Sequence, residues 1–71
     1  MKYIIENEDY IPLSCQPEDG YSLSEAVARY NREVDFMRKF CEHRFPGKYT
    51  DREIENDFHI RELTGQQRIV L

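Results

Sequence analysis

Three rhythms of apolar and polar positions divide the chain. KYIIE, near the N-terminus, is β-branched and aromatic and predicts a strand. NED follows, then YIPLS, a second extended piece. Pro12 cannot donate to a ladder, so YIPLS is either an edge strand or an extended loop. CQPEDG carries turn chemistry: Pro17 presets φ, and Gly20 permits the backbone of a tight reversal.

The second rhythm fills Ser22 to Phe45, SLSEAVARYNREVDFMRKFCEHRF, which contains no Gly or Pro before Pro46–Gly47 ends it. Ser22 with Glu25 three residues on forms a capping box, in which the hydroxyl takes an orphan amide and the carboxylate reaches back. The pattern predicts a helix over 23–44, about 33 Å long at 1.5 Å per residue. Leu23, Val27, Tyr30, Val34, Met37 and Cys41 recur at spacings of four and three, a seam of period 3.5. Such a seam is expected to be the core-facing stripe of a helix laid on a sheet. A helix of this length exceeds a five-residue strand of roughly 17 Å. Part of the seam is therefore expected to overhang, which makes self-association into a homodimer the companion expectation.

The third rhythm is mixed. Thr50 with Glu53 is a second capping box, and Ile54 with Phe58 keeps helical spacing, whereas Ile60 and Leu63 break it. The expectation is a short helical turn at 51–57 followed by a hairpin, FHIREL–TG–QQRIVL. In that register Ile60 opposes Ile69 and Phe58 opposes Leu71, while Arg61 faces Arg68 unfavourably. The assembled prediction is an α+β fold, one small single domain over residues 1–71. One long helix packs on a three- or four-stranded, mostly antiparallel sheet. The rival is an all-α helical hairpin, 23–44 against 51–64 with Gly65 as C-cap.

Length and charge sharpen this picture. Seventy-one residues hold one core, and a domain this small buries only about 60 % of its unfolded surface, so a partner or oligomer would add support. Hydrophobic content of 39 %, with five Tyr and four Phe, suits a globule and not a disordered chain. The formal charge of −4 is unevenly spread. Residues 1–25 and 51–71 are acidic, and 26–50 are basic, an arrangement that affects partner choice and encounter rate more than fold. Cys15 and Cys41 make no disulfide framework and read as packing residues with free thiols. The N-terminus reaches acids by residue 6, unlike a secretory signal, and no stretch approaches the roughly 18 apolar residues of a membrane span. A cytoplasmic protein without a membrane partner is expected.

Few constellations carry chemistry. Cys41 and His43 point roughly 200° apart on a helix and cannot chelate one ion, so no metal site is expected. There is no Gly-rich phosphate loop, and no cofactor is expected. His59 and the serines near Cys15 supply no spaced nucleophile and base, which argues against an enzyme. The alternating Asp51, Glu53, Glu55 and Asp57 either imitate a phosphate backbone or form an ordinary solvated row.

The flank of the long helix is more specific. Glu25, Arg29, Arg32, Phe36, Lys39 and His43 fall within about 80° of one another at 100° per residue, a basic ridge with a phenyl ring at its middle. Arg and aromatic side chains are enriched at binding hot spots. The plain alternative is a solvated face with helix pairs Glu25–Arg29 and Asp35–Lys39. The expected function is a small non-catalytic protein-binding module, an adaptor, regulator or inhibitor. It would act through Arg29, Arg32, Phe36, Lys39 and His43 by occluding a partner surface. The alternatives are a nucleic-acid-associated accessory protein using the same ridge, opposed by a pI near 5.1, and a homo-oligomer built on the seam. In size and composition, though in no motif, the chain is similar to small accessory proteins of phages and mobile elements.

Overall fold

The strand-forming and helix-forming segments arrange as an α+β fold. The computed structural model describes residues 1–63, in the order β1 (Lys2–Asn7), α1 (Leu23–Arg44), α2 (Asp51–Glu55) and β2 (Phe58–Leu63). β1 and β2 pair antiparallel, from Lys2 opposite Leu63 to Asn7 opposite Phe58. Among the described residues the sheet has two strands, fewer than the three or four expected. FHIREL is the predicted strand, but its described partner is β1; the expected second arm, QQRIVL, and the Gly65 cap lie outside the described residues. The all-α rival is overturned: pairing with β1 gives residues 58–63 their backbone partners, and this outweighs the helical spacing of Ile54 and Phe58.

The other edge of β1 is closed piecemeal. Tyr3 and Tyr21 exchange both backbone hydrogen bonds, at 2.8 and 2.7 Å, and Leu13 N–H donates to the Ile5 carbonyl at 3.0 Å. Between them the Gln16 side chain acts as a missing piece of strand. Its Oε1 accepts from Ile5 N–H at 2.7 Å and its Nε2 donates to the Ile5 carbonyl at 3.0 Å. YIPLS thus lies along β1 as a loop touching it at one Glu6–Pro12 bridge. Left-handed backbone at Tyr10 and Cys15 (φ 61° and 60°) turns the chain at either end, so this piece does not grow into a strand. The reversal at Pro17–Gly20 forms as expected, closed by Gly20 N–H to the Pro17 carbonyl at 3.0 Å. Gly20 sits at φ 87°, and a Cβ there would lie 3.0 Å from the Tyr3 carbonyl oxygen, so both backbone angle and space require glycine.

Both capping boxes are present. Ser22 Oγ accepts from Glu25 N–H at 3.3 Å, and Thr50 Oγ1 from Glu53 N–H at 3.2 Å. α1 has the predicted bounds and α2 is one turn, ending at Glu55. The core gathers Ile5, Ala26 and Phe58, with Tyr30, Val34, Met37 and Ile60 packed against them. Burying a side chain such as Ile5 stabilises the fold by about 1.5–3 kcal/mol. Tyr30 Oη donates to the Glu55 carbonyl at 2.7 Å, tying α1 to α2. Burial, with Glu55 nearby, raises the pKa of that phenol.

The predicted seam is only partly the buried stripe. Leu23 and Val27, expected inside, are 54 % and 41 % exposed, while Ala26 is fully buried. Among the described residues the sheet has only two strands, and the helix turns the Ala26–Tyr30–Met37 side onto it, leaving Leu23 and Val27 beyond its width. The middle of the seam packs on the protein's own core, where Tyr30, Val34 and Met37 are partly buried.

Candidate interaction face on the long helix

The sequence sets Arg29, Arg32, Phe36, Lys39 and His43 on one flank of α1, and the structure sorts them. Arg29 is drawn inward, its side chain only 10 % exposed. Its Nε donates to Glu33 Oε1 at 2.6 Å, Nη1 to the Cys15 carbonyl and Tyr21 Oη at 3.0 Å each, and Nη2 to the Ser14 carbonyl at 3.0 Å. Burial works against the charged guanidinium, but the bonds to Glu33 and Tyr21 outweigh it and raise its pKa. Arg29 is therefore a clamp on the 14–15 loop, because its planar fork meets four acceptors at once.

The other four lie outside. Phe36 is 67 % exposed, and Arg32, Lys39 and His43 are exposed around it. Arg32, Glu33 and Phe36 line a shallow open depression of about 300 Å³. Lys39 Nζ reaches Asp35 Oδ2 at 3.0 Å and Arg38 Nη2 reaches Asp35 Oδ1 at 2.6 Å, and the bonds from Lys39 and then Arg38 hold the Asp35 carboxyl below its usual range. Pairs this exposed contribute little to stability and leave the bases available to an incoming surface. Phe40, four residues after Phe36, extends the apolar surface along the same flank. The resulting face is an exposed ring pair among bases, on a rigid support.

Two other side chains considered for chemistry have structural employment. His59 lies flat on Tyr10, with ring centroids 4.9 Å apart. Glu53 closes the α2 cap. Among the described residues, no three His, Cys, Asp or Glu side chains gather as a metal would require, and no helix is long and apolar enough to cross a membrane.

Sequence reasoning missed three things. Arg29's inward turn depends on a loop fourteen residues away, and Gln16's role depends on a strand edge that no periodicity marks. The aromatic cluster after α1, Phe45 and Tyr49 with Phe40, was visible only as scattered rings, because PGK reverses the chain between them. Compared with protein-family models, with curated proteins and with solved structures, the chain shows no match.

Proposed function

We propose that this is a small non-catalytic binding module that engages another protein through the outer face of α1 and acts by covering a surface of that partner. The contact residues are Arg32, Phe36, Lys39 and His43, with Phe40 at the border and Arg29 fixing the loop behind them. The observation that carries the reading is Phe36: a phenyl ring 67 % exposed at the centre of a 22-residue helix, among cations, on an acidic protein. A ring held on a helix loses little freedom on docking, and aromatic and Arg side chains supply most hot-spot energy. The acidic ends and basic middle of the chain orient an approaching partner.

The test is Phe36→Ala beside Arg32→Glu. Both are surface changes and should alter unfolding free energy by no more than about 0.5 kcal/mol. A partner retained by the wild-type protein from extracts of the source organism, or of its host, should be lost by both variants. Unfolding of Phe36→Ala, or unchanged retention, overturns the assignment. A band shift with nucleic acid at low salt that disappears at high salt would transfer the same face to the nucleic-acid reading.

A further inference from the structure

We propose that a second site, a cavity at the C-terminal end of α1, takes a basic side chain, lysine or arginine, of a partner protein. The cavity measures about 300 Å³, at the small end for ligand sites and suited to one side chain. Its inner lining is Met37, Cys41 and the buried Ile54, an apolar bed for an alkyl stem. Its walls are Phe40, Phe45 and Tyr49. Phe40 and Phe45 meet edge to face at 6.5 Å and 65°, and Phe45 and Tyr49 at 6.1 Å and 86°. Rings set at such angles expose π faces in more than one direction, and a π face attracts a cation.

The remaining lining residues are Glu8, Glu53 and Asp57, all acids. Glu53 Oε1 is engaged by the Thr50 cap, whereas among the described residues Glu8 and Asp57 make no ion pair. Among the described residues no base lines the cavity. The protein's own cations nonetheless collect on these rings: Lys48 Nζ lies 5.2 Å from the Phe45 centroid and 5.5 Å from that of Tyr49, and Arg44 lies 5.9 Å from Phe40. Aromatic walls, carboxylates without an ion pair among the described residues and an apolar bed together favour an alkyl chain with a cationic head over an anion. A protein source is favoured over a free amine because Phe40 belongs both to this wall and to the exposed flank with Phe36. On that point alone the inference leans on the reading above; the cation chemistry stands without it.

The experiment is a titration of the full chain, followed by amide chemical shifts. The probes are N-acetyl-lysine methylamide, N-acetyl-arginine methylamide, N-acetyl-norleucine methylamide and putrescine. The capped lysine and arginine should give saturable shifts at Phe40, Phe45, Tyr49 and Ile54. The neutral norleucine amide should bind about tenfold more weakly, the loss expected on removing a charge from such a site. The isosteric double variant Glu8→Gln/Asp57→Asn should weaken the basic probes similarly while leaving norleucine unchanged. Phe36→Ala should leave all four titrations unchanged, so this site and the α1 face fail or stand separately. Equal binding of norleucine, or no shift at these residues, overturns the cation site. Putrescine binding more tightly than both capped amino acids overturns the protein source.

Discussion

Arg29 donates to the carbonyl of Cys15 at 3.0 Å, and Cys15 is a non-glycine residue held in the left-handed region at φ 60°. That backbone state costs about 1–2 kcal/mol, which the clamp offsets. Arg29→Ala should destabilise the protein by about 1–3 kcal/mol and should accelerate proteolytic cleavage near residues 14–17. Arg29→Lys should recover little of this, because one ammonium cannot serve four acceptors spread over two elements. Urea unfolding and limited proteolysis report both effects; wild-type stability in the Lys variant would show that the fork geometry is dispensable.

Gln16 is the next test of the same loop. Its amide satisfies Ile5 N–H and the carbonyls of Ile5 and Leu13, the last at 2.8 Å. Gln16→Ala leaves a part-buried strand amide without its acceptor and should cost about 1–3 kcal/mol. Gln16→Glu keeps an acceptor but faces two carbonyl oxygens with a charge. It should be less stable than wild type at neutral pH and recover when acidified, as a protonated carboxyl regains a donor. An acid titration of the unfolding midpoint that falls in parallel for both proteins would contradict this.

Glu6 and Arg61 form an asymmetric pair across the strands. Glu6 is 3 % exposed, and Arg61 Nε stands 3.2 Å from its Oε1 without hydrogen-bond alignment. Removing the base leaves a carboxylate buried alone, whereas Glu6→Gln fills the same space without charge. Arg61→Ala should therefore destabilise more than Glu6→Gln, by a margin of about 1–3 kcal/mol. Equal losses in thermal unfolding would refute the asymmetry.

The start of α1 should show its own pH dependence. The Ser22 hydroxyl, and next the Ser22 amide, hold the Glu25 carboxyl below its usual range. A depressed folded pKa contributes stability that is complete above the unfolded value, near 4.3, and is lost as pH falls through the lower folded value. The first turn of α1 should thus loosen only in acid, and Ser22→Ala, which removes the hydroxyl but keeps the amide, should move the Glu25 titration part of the way back toward the ordinary carboxylate position. Carboxyl chemical shifts followed against pH decide it.

What could be read from the chain and what could not divide along physical lines. Ser22–Glu25, Thr50–Glu53 and Pro46–Gly47 act over three or four residues, and they mark α1 and α2 within two residues of where they lie. Lys2–Asn7 and Phe58–Leu63 were legible as strands, but their pairing was not, since periodicity says nothing of which edge meets which. The helix stripe departs from its periodicity at Leu23 and Val27 because a sheet's width decides how much of a stripe is covered, and width is a property of the assembled layer. Of the candidate face, the helical wheel groups Phe36, Arg32, Lys39 and His43 on one flank but leaves open whether a loop covers the Phe36 ring, which is exposed. Arg29 departs because a distant loop offers it carbonyls.

The two edges of β1 differ in when they can be satisfied as the chain leaves the ribosome. Leu13, Gln16 and Tyr21 follow within the next stretch of chain, before α1, and can close one edge early. The other waits for Phe58–Leu63, after both helices have been made. Until then a strand bearing Ile4 and Ile5 has an open side, the kind of surface on which chains add to one another. Slowed translation between α1 and β2 should therefore lengthen the time that edge stays open.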